Sequence, residues 1–354
     1  MKKTLVAIAA LAASAGAFAQ SNVTLFGVID ASVARVSTGG NHVAGLATGD
    51  QTSNRLGFRG TEDLGGGLRA GFWLEGGFNV DAGSGSTNGA FGFERRATVS
   101  LESKSAGELR IGRDKLPSYL NIETFDPFAD IGIGGLGASN LISSSAAGTP
   151  GGSAPKRASN SVQYILPSTL GGFYGQAMYA FGETNSSQAN DKQGNAYNLR
   201  GGYKAGAINF GLGYGEVRGG ALTLPGGVDY KTTTVGASYD FGFVKPMVQF
   251  VGEKGGGQKR EVFEIAATAP IGAGELRAAF STYRNKTTDN ADADKFAIGY
   301  GYNLSKRTQV YGTVARVNND GLATRGLAVS GLTQPTIAAG RNVTGYEIGV
   351  RHSF

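Results

Sequence analysis

Apolar and polar positions alternate singly along most of this chain. In "LRAGFWLEG", Leu68, Ala70, Phe72 and Leu74 fall on one side, and Arg69, Gly71, Trp73 and Glu75 on the other. In "RLGFRG", Leu56 and Phe58 oppose Arg55 and Arg59, and in "RRATVSLES", Ala97, Val99 and Leu101 oppose Arg96, Thr98, Ser100 and Glu102. The last residues, "YEIGVRHSF", put Tyr346, Ile348, Val350 and Phe354 on one face and Glu347, Gly349, Arg351 and Ser353 on the other. A period of two is the signature of a strand, whose successive side chains point to opposite faces. Sixteen such stretches occur, at approximately 22–36, 51–62, 68–80, 92–104, 108–114, 160–167, 172–183, 195–204, 207–218, 230–240, 243–253, 260–269, 274–285, 294–304, 307–318 and 342–354.

The connections alternate in length. "DLGGG", "SAGE", "PSTLGG", "AG", "FG", "PIGAG" and "SK" are tight turns, and longer polar loops fall between them. A soluble sandwich has no need of that alternation. A membrane barrel has short turns at one end and long loops at the other, and an even strand number brings both termini to the short-turn end. Charge along one face suits a wet lumen, because an unpaired charge in a dry core is costly. A sandwich exposing that face would satisfy this last point equally well. No Pro/Ser linker divides the chain, so a single all-β domain is expected.

The N-terminus sets the compartment. "MKKTLVAIAALAASAGAFAQ" has a basic start, an apolar stretch from Leu5 to about Ala13, and the small-x-small site Ala17-Phe18-Ala19. This is the layout of a secretory signal peptide, here 1–19, leaving a domain over 20–354. The apolar stretch falls short of the roughly 20 residues a helical span needs. The chain has no cysteine, 59 glycines, 9 prolines, 14 tyrosines, 19 phenylalanines and one tryptophan, a composition of strands and tight turns without disulfides. Of the formal charge of +6, Lys2 and Lys3 leave with the leader, so the remaining chain carries +4. Basic and acidic residues intermingle, which gives no basic face for nucleic acid.

Several segments together, "NVTLFGVIDASV", "SNRLGFRGTEDLGGGLRAGFWLEG", "RRATVSLES", "GELRIGRD", "NLSKRTQVYG" and "GVRHSF", resemble the general diffusion porins of Gram-negative outer membranes, especially the β-proteobacterial group. The match runs in order from about residue 22 to 354. It implies a 16-stranded antiparallel transmembrane β-barrel in the outer membrane and assembly as a homotrimer among lipids and lipopolysaccharide. It also implies passive diffusion of small anions and hydrophilic solutes. A last strand ending in Phe354 resembles the signal read by the outer-membrane assembly machinery.

From Lys115 to about Ser159 no strand pattern occurs, and so long a loop in a compact domain calls for a functional account. By position it resembles the third loop of the family, which folds into the lumen and narrows it; 115–159 is therefore the expected constriction loop. Its front half, "IETFDPFAD", carries Glu123, Asp126 and Asp130. The resemblance places Arg55, Arg96 and Arg157 on a facing basic wall, with Glu75 nearby. Arg95 is the lesser candidate, because strand parity points it outward unless the strand end bends. Such a site acts through a field: one charge at about 10 Å is worth roughly 0.4–1.7 kcal/mol for effective dielectrics of 80 down to 20. A modest anion preference is the expectation.

Other signals carry less. "GIGGLG" at Gly132 to Gly137 has dinucleotide-fingerprint spacing but neither a strand before it nor a helix after it. "DNADADK", from Asp289, is acidic but lacks the glycine and closing Glu of a calcium loop. With two histidines and no cysteine, no metal site, cofactor or catalytic constellation is expected. The rivals are a barrel enzyme and a soluble adhesin-like β-protein.

Overall fold

The computed structural model describes residues 22–86, 89–136, 156–183, 187, 192–218, 229–255, 257–327 and 329–354. Residues 1–21, which include the expected leader over 1–19, and the glycine-rich stretch 137–155 lie outside the described residues. Among the described residues, nineteen strands and one helix follow in chain order. The first are β1 (Asn22–Thr38), β2 (Asn41–Thr48), β3 (Arg55–Gly65), β4 (Leu68–Gly76), β5 (Phe78–Asn79), β6 (Ser84–Gly85), β7 (Arg96–Ser103), β8 (Gly107–Lys115) and α1 (Pro117–Phe125). After these come β9 (Arg157–Ile165), β10 (Phe173–Ala180), β11 (Ala196–Ala205), β12 (Ile208–Val217), β13 (Tyr230–Tyr239) and β14 (Lys245–Gly255). The last are β15 (Gln258–Ile271), β16 (Gly274–Asn285), β17 (Ala293–Asn303), β18 (Thr308–Asn319) and β19 (Val343–Ser353).

Every neighbouring pair in the main sheet is antiparallel, and β1 pairs with β19, so the sheet closes on itself. Closure removes the sheet edges, which is how a barrel satisfies its backbone in lipid. The main sheet has seventeen strands but sixteen staves. Its second stave is broken: β2 pairs with the Ala31–Thr38 half of β1, and β3 with the Asn22–Val28 half. Between them residues 49–54 turn inward, where Asp30 accepts hydrogen bonds from Gln51 N (2.9 Å) and Thr52 N (2.6 Å). The sixteen stretches read from alternation all appear in order. The missed piece is β2, whose start follows a two-glycine turn.

The two faces have the expected polarity. Ile348 is 68% exposed and Glu347 4%. Val99, Leu101, Leu199, Phe210, Ile265 and Phe296 likewise face outward. The turn between β3 and β4 needs glycine, since Gly65, Gly66 and Gly67 all have positive φ (82°, 62° and 80°), where a Cβ is strained.

What is buried is chiefly inside the barrel, under segments that enter it. Helix α1 begins at Pro117, whose missing N–H costs nothing in a first turn. It packs against the inner faces of β11–β14. Asn198 Oδ1 accepts from Ser118 N (2.5 Å), and Asn121 Nδ2 donates to Gly211 O (3.2 Å) and Thr234 Oγ1 (3.1 Å). Phe125 is fully buried against Gly236, where a side chain would collide with its ring, and beside Gly211, where a side chain would first meet Asn121 and the Tyr174 hydroxyl. Further on, Lys295 Nζ of β17 donates to Gly134 O and Gly135 O, both at 2.6 Å, and Ile133 N donates to Glu347 Oε2 of β19 (3.4 Å). The segment after β8 thus crosses from one wall to the other. The 319–341 connection also packs down: Leu327 is buried beside Gly345, and Arg325 Nη2 donates to Tyr283 Oη (2.6 Å).

Candidate functional site

The first charged group gathers where β3, β4, β7, β8 and β9 meet the helix-bearing segment. Arg55 opens β3, Glu75 lies near the end of β4, and Arg157 opens β9. Arg95 lies one residue before β7, where the backbone is no longer bound by strand parity, and its side chain turns in: Nε stands 2.7 Å from Glu75 Oε1. Arg55 Nη1 approaches the same oxygen at 3.6 Å, and Trp73 Nε1 donates to Glu75 Oε2 at 3.1 Å. Arg157 Nε donates to Arg95 O (2.8 Å), which ties β9 to the residue before β7. Lys115 Nζ bridges both oxygens of Glu123 at 2.6 Å, bringing α1 to the same wall. Arg95, Arg157, Glu75 and Glu123 all act electrostatically on Arg55.

Four cations (Arg55, Arg95, Arg157 and Lys115) therefore surround two carboxylates (Glu75 and Glu123). The group is not sealed: side-chain exposure is 26% for Arg55, 12% for Arg95, 24% for Lys115 and 20% for Glu123. A partly hydrated, net-positive group of this kind attracts anions without a dry, high-affinity pocket.

Arg96 belongs to a different, balanced group. It stacks on Trp73, 4.6 Å from the ring centre, and its Nε lies 3.6 Å from Asp114 Oδ2. Arg110 shares that oxygen at 2.7 Å and also forms a two-pronged pair with Glu108, with both contacts at 2.9 Å. Two arginines meet two acids here and cancel, and Arg59, 5.1 Å from the centre of the same Trp73 ring, is the further cation beside them.

The acidic residues of the loop separate in the same way. Glu123 stays at the first group. Asp126 is turned away from the opening and holds the loop's own backbone: Oδ1 accepts from Phe128 N (2.8 Å), and Oδ2 from Asp130 N (2.9 Å) and Leu136 N (3.0 Å). Burial pushes its carboxyl above the ordinary range, against the opposing pull of those N–H groups. The Asp130 side chain is wholly buried, paired with Lys156 Nζ at 2.7 Å and accepting from the Tyr119 hydroxyl. Burial first, and Asp130 next, push the Tyr119 phenol well above its usual value, so it remains a donor. On the opposite wall, Arg200 Nη2 donates to Thr124 Oγ1 of α1 (2.7 Å). Lys115, Lys156 and Arg200 were missed by pattern reading. Lys115 opens the long loop and Lys156 adjoins Arg157 in "KRAS", and those placements are their one sequence signal.

The remaining sequence candidates have ordinary partners. Asp292 and Asp294 lie 3.7 and 3.0 Å from Arg284. Phe354 exchanges backbone hydrogen bonds with Gly27, both at 3.1 Å, completing the seam between the two ends of the chain.

A closed barrel, apolar outside and charged within, defines a membrane channel. The model of the Gram-negative porin family matches residues 5–322, and the chain belongs to that family. It is 39% identical to outer membrane porin protein 32 of Delftia acidovorans, with all of both chains covered. It is 32% identical to an outer membrane porin protein of Bordetella pertussis, covering 88% of this chain and 93% of the other. Among solved structures it is similar to an anion-selective porin from Comamonas acidovorans, with 37% identity, a TM-score of 0.83, and coverage of 95% of this chain and 100% of that one. The protein is an outer-membrane porin, a channel for passive diffusion.

Proposed function

We propose that this porin prefers anions, and that the preference is set where Arg55, Arg95, Arg157 and Lys115 face the opening alongside Glu75 and Glu123. The observation that carries this reading is the imbalance of that group, four cations against two carboxylates, next to a neutral Arg96–Asp114–Arg110–Glu108 group. The similar porin from Comamonas acidovorans is described as anion-selective, which supports the same direction. In this reading 115–159 is the constriction loop. Asp126 and Asp130 are its internal fastenings and not its acidic lining. The expectations of a cleaved leader over 1–19, a homotrimer, contact with lipopolysaccharide, and Phe354 as an assembly signal belong to the same reading. The chemistry asked of the channel is selection by field, with no bond made or broken.

The test is the reversal potential of the protein in a planar bilayer across a KCl gradient. A potential signalling excess chloride flow, with conductance steps in threes, is the expected result. Cation preference with normal steps would overturn the assignment of the basic group and leave the channel in place.

A further inference from the structure

Selection by sign leaves one lumen cation of this wall without a role. Strand register sets Arg59 of β3 directly opposite Trp73 of β4. Arg59 shares the inward parity of Arg55 and lies further toward the short-turn end, about 13 Å along the strand. Its guanidinium rests on two rings, 5.1 Å from the centre of Trp73 and 5.2 Å from that of Phe26. The rings meet edge to face at 5.0 Å and form one angled shelf. Each ring is held from elsewhere. Trp73 Nε1 donates to Glu75 Oε2 (3.1 Å), and Phe26 lies over Gly57, where a Cβ would stand 2.5 Å from its ring. Gly57 faces Phe26 on one side and Glu75 on the other, so its missing side chain lets the Phe26 ring reach across to β4.

The shelf presents a bare guanidinium. On β3, β4 and β7 the other inward cations each have a carboxylate in reach: Arg55 has Glu75 (3.6 Å), Arg69 has Glu102 (2.9 Å) and Arg96 has Asp114 (3.6 Å). Among the described residues Arg59 has neither an ion pair nor a hydrogen-bond acceptor, and it is exposed to the lumen. Asp63, the acid on its own strand face, serves the turn, where its Oδ1 accepts from Gly65 N (2.9 Å). Stacking covers one face of a guanidinium and leaves its in-plane N–H groups for a ligand. Those donors form a planar fork that fits the two oxygens of a carboxylate, whereas a halide offers no second acceptor atom.

We propose that Arg59, on the Phe26–Trp73 shelf, is a second anion site of the channel, specific for small planar oxyanions of the carboxylate type. It stands on the short-turn side of the Arg55–Arg95–Arg157–Lys115 group, so an anion that has passed that group meets it next. The first group separates anions from cations by field, and Arg59 separates oxyanions from halides by shape. An exposed fork with no second cation closing on it binds weakly, as a conducting path requires. The proposal rests on the channel reading for its place on the path, and its binding chemistry stands without it.

Trp73 is the one tryptophan of the chain, so its fluorescence reports on this shelf alone. The test titrates full-length protein in zwitterionic detergent with iodide, an anionic quencher, and with caesium, at constant ionic strength and with chloride or formate as the competing anion. Iodide should quench Trp73 more than caesium does, and formate should protect it about threefold better than the same concentration of chloride. Arg59→Gln should lower iodide quenching about threefold, the scale of one charge removed from beside the ring in water, and abolish the advantage of formate. Arg59→Lys, which keeps the charge and removes the fork, should keep the iodide quenching and lose the formate advantage; it decides alone where Arg59→Gln does not fold. Arg69→Gln, on the same wall, should retain the formate advantage. Equal protection by formate and chloride in the native chain, or a formate advantage that persists in either Arg59 variant, would overturn the proposal. Reversal potentials of the same samples in a KCl gradient separate it from the pore reading. A cation-preferring protein whose Trp73 is protected through Arg59 loses only the basic-group assignment, and an anion-preferring protein whose protection ignores Arg59 loses only this site.

Discussion

Glu75 holds Arg95 at 2.7 Å, although Arg95 precedes its strand and Glu75 lies within one. The pair makes Glu75 the acid nearest the centre of the basic group, with Arg55 and Trp73 on its remaining faces. Removing that charge should increase anion preference. Glu75→Gln is expected to raise the chloride-to-potassium permeability ratio about twofold at 0.1 M salt, the scale of one charge acting across about 10 Å of screened water. Reversal potentials in a KCl gradient measure it, and the increase should shrink at 1 M salt. An unchanged ratio at low salt would remove Glu75 from the selectivity site.

The two arginines in sequence, Arg95 and Arg96, should behave differently. Arg95 contributes to a net-positive group, whereas Arg96 stands over Trp73 beside Asp114 in a group whose charges cancel. Arg95→Gln and Arg157→Gln should each lower chloride preference by about twofold. Arg96→Gln should change it less, because the Asp114 charge it exposes is still held by Arg110. A larger effect from Arg96 would mean that the balanced group dominates the field. Arg55, Arg95 and Arg157 act on one another, so their double variants should not be additive.

Alternation exposed nearly all of the wall and little of the loop. A strand repeats its environment every second residue, so Leu68, Ala70, Phe72 and Leu74 announce their face together. Arg95 shows where that logic stops: just before β7 its N–H still bonds Glu75 O (3.1 Å) while Arg96 is also registered opposite Glu75, so two residues face one and the parity slips. Asp126 and Glu123 are both acids in one short stretch, yet one is consumed by backbone N–H groups and the other faces Lys115. Their difference depends on how α1 seats against β11–β14, a long-range contact without periodicity. Lys295 looks like any charged residue in "DNADADK", and only the crossing loop makes it a buried donor to two carbonyls.

That lysine should be the main fastening of the loop. Lys295 is 1% exposed, and its charge also acts on Asp126 and Glu264, both buried nearby. Lys295→Met keeps the bulk but leaves two carbonyls and those acids without their cation. Each buried carbonyl left without its donor costs about 1–3 kcal/mol. The unfolding temperature in detergent should fall, and single-channel records should become noisier with a larger mean conductance as the loop leaves its seat. A quiet channel of native conductance would show that α1 alone positions the loop.

The seat of α1 makes the opposite prediction. Phe125 is fully buried where Gly236 and Gly211 leave room on the inner wall, and a Cβ at Gly236 would meet the Phe125 ring. Gly236→Ala must therefore displace the ring or lift the helix into the opening, since overpacking a filled site costs about 1–3 kcal/mol. Lifting the helix narrows the channel, so single-channel conductance should fall while the sign of selectivity stays the same. Gly236→Ala combined with Phe125→Leu, which shortens the colliding side chain, should recover most of the lost conductance. If the single substitution leaves conductance unchanged, the ring has moved aside and the helix does not set the width. If conductance falls and the double variant fails to restore it, the narrowing has another origin on β13.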